Sequence, residues 1–284
     1  MIHLSAFADE ISADLNEQIE VIRSEHIHYI DLRGAWNTNV LDLTDQQVTE
    51  IKQRLDAQGI GVSAIASPIG KTPIDTPFEE HLQRFQRAIE LAQFFHTPFI
   101  RIFSFYSPIS EGKGIGGKES VDPAIWRNEV LRRLRELTRL ARNANLVLLH
   151  ENEKDIYGDT IARCIDLLQN INDPHFQAIF DPANFIQCGQ TPYPDAYQAM
   201  RPWLRYMHVK DALADGTVVA AGGGMARWLE TLQQLHADSY DGFFSLEPHL
   251  ALAGQFQGFS GPELFHKASQ SLQQLLQSID WKYA

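Results

Sequence analysis

Short apolar runs alternate with amphipathic stretches along the whole chain, and the two periods can be told apart by eye. Ile2–Phe7, Tyr29–Arg33, Gly61–Ser67, Phe99–Phe105, Leu146–Glu151, Gln177–Asp181, Arg205–His208 and Phe243–Glu247 read as eight strands. Several are apolar at nearly every position, as expected when both faces of a parallel sheet are covered. Between them, apolar residues recur at helical spacing. Val48, Ile51 and Leu55 form one such stripe, opened by the capping-box pair Thr44 and Gln47 and closed near Gly59. Phe78, Leu82, Phe85, Ile89 and Ala92 form a second. A third runs through Val130, Leu134, Leu137 and Ala141, behind Asp122 and Pro123 as N-cap and first helical residue. Segments near Leu15–Ser24, Asp159–Leu168, Met225–Leu235 and Pro262–Leu275 complete the helical set.

Eight βα units joined by short turns predict a single-domain α/β fold spanning residues 1–284, a closed (β/α)8 TIM barrel. An open, doubly wound sheet is the alternative. The length of 284 residues is close to the ~250 typical of such a barrel.

The ends of the last four strands carry the most information. Glu151 closes LVLLHENE, Asp181 closes QAIFDPANF, His208 closes LRYMHVKD and Glu247 closes FFSLEPHL. A carboxylate at the end of a buried run needs a positive partner. Barrel chemistry sits at the C-terminal ends of the strands, and consecutive strands are neighbours, so the four side chains can converge. Alternation puts Val147, Leu149 and Glu151 on one face, and Ser245, Glu247 and His249 on another. Three carboxylates and one imidazole suit one divalent ion, with Mn²⁺ first and Mg²⁺, Co²⁺ or Zn²⁺ as alternatives. The competing reading is that each polar residue merely caps a strand or the next helix.

Composition narrows the partners. A formal charge of −12 opposes nucleic acid and anionic membrane surfaces. The two cysteines, Cys164 and Cys188, lie in no CxxC pair, which fits a reducing cytoplasm. MIHLSAFADE has neither a basic n-region nor a long apolar stretch, so no signal peptide or anchor is expected. No apolar run approaches the ~18 residues of a membrane span. The six arginines from Arg127 to Arg142 scatter around an apolar stripe and read as a solvated face or a homo-oligomer contact.

In HENE (150–153), FDPAN (180–184), MHVKD (207–211) and SLEPH (245–249), with the opening SAFADEIS and RIFSFY, the chain resembles the xylose isomerase-like TIM-barrel superfamily, within its sugar phosphate isomerase/epimerase group. The resemblance spans essentially the whole chain. It implies that Glu151, Asp181, His208 and Glu247 are metal ligands, and that Glu151 and Glu247 also act as the acid/base pair. The implied activity is isomerisation or epimerisation of a small sugar, keto-polyol or sugar phosphate through a metal-stabilised enediolate. Dehydration of a keto-polyol such as an inosose is the alternative, followed by an endonuclease IV-type phosphodiesterase. Two positions depart from the ketose epimerases. Asn184 stands where many have histidine, and Ala221-Gly222-Gly223-Gly224-Met225 stands where many relatives have Gly-Glu-Gly.

Lys210, Asn184, Arg33, Arg101 and His249 are candidate substrate-binding residues, each with a plainer reading as a salt-bridge or hydrogen-bond partner. His150 is expected to face the helices. The letters GxGxxG at 112–117 follow no βαβ frame, so a dinucleotide site is rejected. A βα loop there could act as a lid, with Lys113 and Lys118 near an anionic substrate.

Overall fold

A computed structural model describes residues 1–108, 125–250 and 260–284. Eight parallel strands form the barrel: β1 (His3–Ala6), β2 (Tyr29–Leu32), β3 (Gly61–Ile65), β4 (Phe99–Ile102), β5 (Val147–Glu151), β6 (Phe176–Phe180), β7 (Leu204–Val209) and β8 (Phe243–Leu246). Each of the eight sequence-expected strands is present, and the open doubly wound alternative is excluded by the strand order. Ladder hydrogen bonds join every sequential pair from β2 to β8 and then β8 to β1. The described helices are α1 (Leu15–Ser24), α2 (Asp45–Ala57), α3 (Phe78–Phe95), α4 (Arg127–Asn143), α5 (Ile161–Ile171), α6 (Pro182–Gln187), α7 (Tyr197–Met200), α8 (Trp228–Ala237) and α9 (Gly261–Ser278).

Local chemistry sets the helix ends. Thr44 and Gln47 form the reciprocal capping box ahead of α2, and Gly59, with φ of 67°, turns the chain after it. The expected N-cap at Asp122 and the 112–117 loop with Lys113 and Lys118 lie outside the described residues. Five of the six arginines of α4 are answered by carboxylates: Arg127 by Asp166, Arg132 and Arg133 by Glu129, Arg139 by Glu136, and Arg142 by Asp173, while Arg135 donates to Asn170 O. Among the described residues, no helix is long and apolar enough to cross a membrane.

The barrel interior is built in layers. Ala64, Phe99, Leu149, Ile179 and Tyr206 form an internal cluster, separate from the larger core between strands and helices. Beside it lies a polar knot. Asp31 Oδ2 on β2 accepts from Ser5 Oγ on β1 (2.7 Å), Ser63 Oγ on β3 (3.1 Å), Tyr206 OH on β7 (2.7 Å) and Ser245 Oγ on β8 (2.5 Å). All five residues are buried. This knot spans the seam between β1 and β2, which lie side by side without ladder pairing.

Removing the shared acceptor leaves buried hydroxyls competing for too few partners. Asp31→Ala should therefore cost about 3 kcal/mol, and Ser5→Ala nearer 1 kcal/mol. Urea unfolding of both variants checks this; equal losses would mean the knot does not act through Asp31.

Candidate metal centre

Each of the four strand-end residues lies two positions beyond a residue that faces the barrel interior. Leu149 precedes Glu151, Ile179 precedes Asp181, Tyr206 precedes His208, and Ser245 precedes Glu247. Alternation therefore points all four into the next layer up. Glu151 is the last residue of β5 and His208 the next to last of β7, while Asp181 and Glu247 lie one residue past β6 and β8. All four are buried, and one donor atom from each lies within 4.8 Å of the others. His208 Nδ1 is 3.1 Å from Glu151 Oε1 and 3.5 Å from Glu247 Oε2.

Asp181 is placed for both of the roles weighed from the sequence. Its Oδ1 accepts from the Asn184 backbone N–H at 2.9 Å and caps α6, with Pro182 at the first helical position. Its Oδ2 points at the cluster and, among the described residues, has no hydrogen-bond partner, although Lys210 Nζ is 2.9 Å away, off the direction of a hydrogen bond. Among the same residues both ring nitrogens of His208 also lack a hydrogen-bond partner. Polar atoms without a hydrogen bond at 0% exposure are costly in a folded protein. Here they converge with two further carboxylates, which is the donor set a divalent ion would satisfy.

Cations surround the set. Arg101 Nη1 is 3.2 Å from Glu151 and 3.6 Å from Glu247. Arg33 reaches Asp9 (2.7 Å), Glu10 (3.5 Å) and Glu247 (3.3 Å). Lys210 Nζ is 3.3 Å from Glu247 Oε2 and 3.4 Å from His249 Nδ1. Both guanidinium groups flank Phe7, at 4.9 and 5.0 Å from its ring centre. Arg33 is thus engaged by three carboxylates, while Arg101 meets two through Nη1 and donates from Nη2 to Ala66 O at 3.1 Å. The amide of Asn184 is likewise engaged, by Asn152 O (2.8 Å) and Glu151 (3.4 Å). His249 reaches the mouth, with Nε2 3.1 Å from Glu10. His150 stays outside it, packed on Phe176 at 5.9 Å.

Two carboxylates in the mouth were absent from the sequence reading. Glu10, fully buried, accepts from the His249 N–H (2.8 Å) and Ser260 Oγ (3.1 Å). Asp9 pairs with Arg33. Both follow the end of β1 in ADE, so the strand-end rule extended to a short turn would have found them. The Gly-Glu-Gly departure also has a structural consequence. Asp211 accepts from the N–H groups of Gly222, Gly224 and Ala226, and a Cβ on Gly224 would come within 2.3 Å of Asp211 Oδ1.

Among the described residues, five carboxyl groups (Asp9, Glu10, Glu151, Asp181, Glu247) face three permanent cations (Arg33, Arg101, Lys210) and His208, whose carboxylate neighbours raise its pKa. With His208 neutral, as a metal ligand must be, and the five carboxyls ionised, the excess is two negative charges, which one divalent ion offsets. In the protein groups alone, burial pushes Asp181 up to about 6 against the pull of Lys210, and Glu10 up to about 8 against Arg33. Burial would also raise Glu151 and Glu247. His208 and Arg101 outweigh it at Glu151, held at about 2, and Lys210 and His249 outweigh it at Glu247, held well below the usual range.

The fold and this donor set define a (β/α)8 barrel able to hold a divalent ion at its strand ends. A family model described as a xylose isomerase-like TIM barrel matches residues 20–277, and the chain belongs to that family. A 3-dehydroshikimate dehydratase from Bacillus anthracis is 23% identical over 180 residues, which is 62% of this chain and 60% of that protein. A xylose isomerase-like barrel from Mycobacterium smegmatis, solved in complex with magnesium, superposes with a TM-score of 0.73 at 18% identity, covering 98% of this chain and 96% of that one. A 3-keto-D-glucoside 4-epimerase from E. coli superposes with a TM-score of 0.71 at 16% identity, covering 98% of this chain and 100% of that one.

The shifted carboxyls give a pH signature. Asp181 and Glu10 keep protons in the folded chain after the unfolded chain has lost them. Through these two carboxyls the folded state holds extra protons. Burial pushes His81 and His150 down to about 4 and His249 to about 3, and these oppose the carboxyls below about pH 6.5. Ion-free protein should therefore lose stability with rising pH only from about pH 7 to pH 8, where Glu10 gives up its proton. Glu151 and Glu247 act oppositely, but only below about pH 4. Melting temperatures in a chelator should fall from about pH 7 to pH 8, and saturating Mn²⁺ should flatten that slope because the ion takes the place of the proton on Glu10. A melting temperature that rises between about pH 7 and pH 8 in the chelator would contradict this charge balance.

Proposed function

We propose that this protein is a divalent-metal-dependent isomerase or epimerase of a small polyhydroxylated carbonyl compound. Glu151, Asp181, His208 and Glu247 would hold the ion, most suitably Mn²⁺ for a donor set of three carboxylates and one imidazole. The observation that carries this reading is the convergence of those four buried groups, with Asp181 Oδ2 and both His208 nitrogens lacking a hydrogen-bond partner among the described residues. When bound, the ion supplies Lewis-acid stabilisation of charge developing on the substrate's carbonyl oxygen.

The chain's own residues supply the proton transfers. Glu151 and Glu247 approach from β5 and from just past β8, and both are held ionised by their neighbours. One takes the proton next to the carbonyl, and the other serves the opposite face of the carbon. Lys210, Asn184, Arg33, Arg101 and His249 form the surrounding wall, in which Asn184 and Arg101 are engaged by protein groups and Arg33 and His249 are placed to meet the substrate's oxygens. Arg33 and His249 are its more open members, with side chains 20% and 32% exposed. The free cysteines fit a cytoplasmic setting.

Dehydration of a keto-polyol is the second reading, and two observations favour it. The Bacillus anthracis relative is named as a dehydratase. Asn184, where a histidine could have shuttled a proton, spends its amide on Asn152 and Glu151. Product mass separates the readings, because dehydration loses one water and isomerisation does not.

Asp181→Ala or His208→Ala should abolish stoichiometric Mn²⁺ binding and turnover. Glu151→Gln and Glu247→Gln retain a ligand oxygen but cannot accept a proton near neutral pH. Loss of a general base is typically ~10²–10⁴-fold, and it should persist at saturating metal. Solvent deuterium should enter the carbon next to the carbonyl in wild type and not in the variant lacking the base. Full rescue of both Gln variants by metal would leave the glutamates as ligands only.

A further inference from the structure

Glu151 and Asp181 come from adjacent strands, yet their neighbours beyond the strand ends are joined by side-chain rather than ladder bonds. Asn152 Nδ2 donates to the backbone carbonyl of Asp181 at 2.9 Å, and the Asp181 N–H donates to Asn152 Oδ1 at 3.0 Å. One amide side chain thus closes a reciprocal pair with the backbone of the residue that carries a candidate ligand. A second amide completes the cage. Asn184 Nδ2 donates to Asn152 O at 2.8 Å and lies 3.4 Å from Glu151 Oε1, while the Asn184 N–H holds Asp181 Oδ1. Asn152 is 0% exposed and Asn184 2%. Its hydrogen bonds end on Asp181 and Asn184, so an account of Asn152 as ordinary core packing leaves them unexplained.

We propose that Asn152 is a positioning residue that fixes the separation and orientation of Glu151 and Asp181, and through them the affinity of the site for a divalent ion. It touches neither ion nor substrate. The cage holds Asp181 Oδ2 aimed at the cluster by securing both the backbone and Oδ1 of the same residue. With Asn152 truncated, the Asp181 backbone loses both partners and β5 and β6 are no longer tied beyond Glu151. The proposal rests on the metal reading of the site, and its test separates the two.

Mn²⁺ affinity is measured by calorimetry on the full chain, for wild type and Asn152→Ala, together with the ion-free melting temperature and the electron paramagnetic resonance spectrum of bound Mn²⁺. Partners that orient metal ligands typically contribute about 10- to 100-fold in affinity. A loss of that size, with an altered Mn²⁺ spectrum in a folded variant, is expected. A merely structural residue would lower the ion-free melting temperature and leave the affinity of the folded protein unchanged. Asn152→Asp gives a test by sign near pH 7. It keeps an acceptor for the Asp181 N–H, loses the donor to the Asp181 carbonyl, and brings a negative charge toward the ion. Charge alone would tighten Mn²⁺ binding, whereas loss of the clamp weakens it. Weaker binding in the Asp variant supports the proposal even if the Ala variant does not fold. Wild-type affinity in Asn152→Ala, or equal or tighter binding in Asn152→Asp, overturns it. A wild type that binds no divalent ion removes the metal reading and the clamp together, whereas wild-type binding with unaffected variants removes the clamp alone.

Discussion

Excess negative charge buried at one end of the barrel is the constraint around which the rest of the mouth is arranged. Ionised carboxylates are rarely buried without compensation, because desolvation disfavours them strongly. Here Glu151, Asp181, Glu247 and Glu10 are each at most 3% exposed. Arg33, Arg101 and Lys210 are drawn in to answer them, and each bridges at least two carboxylates. These cations still leave an imbalance, which a divalent ion or protons on the raised carboxyls must offset. The same charges that make the site costly to fold suit it to a cation.

The layers beneath give that arrangement a rigid floor. Phe7 lies between the two guanidinium groups and meets the His208 ring edge-on at 5.0 Å. Below it, the Asp31 knot ties strands from β1 to β8 where the ladder is interrupted. A barrel with an unpaired seam can open there, and a shared buried acceptor is a directional way to hold it. Tyr206 connects the two levels: its hydroxyl belongs to the knot, and two residues further on the same strand His208 enters the site.

Much of the site was legible because a closed parallel barrel turns one-dimensional pattern into position. An apolar run ending in a polar residue gives a strand end, strand order gives neighbours, and alternation gives the face. That logic found Glu151, Asp181, His208 and Glu247 to within one residue of the observed strand ends. It passed over Glu10 and Asp9, because they follow β1 by a short helical turn and interrupt no apolar run. It passed over Asp31 for the opposite reason. A single carboxylate inside a short strand has no pattern of its own, and its partners come from four other strands.

The sequence by itself determined the eight βα units, the family and the identity of the converging residues, since these follow from periodicity and from residues at fixed offsets along one chain. Tertiary structure alone decided how each charge is spent. Arg33 is answered by Asp9 and Glu10 after the neighbouring strand and by Glu247 after the last one, Arg101 by Glu151 and Glu247, and the amide of Asn184 is held by Asn152. Asp181 could have been read as a cap or as a ligand, and in the fold one oxygen caps α6 while the other faces the cluster. Hydrogen bonds and ion pairs are short-ranged and directional, so their partners are fixed only once the barrel has set which strand ends face one another.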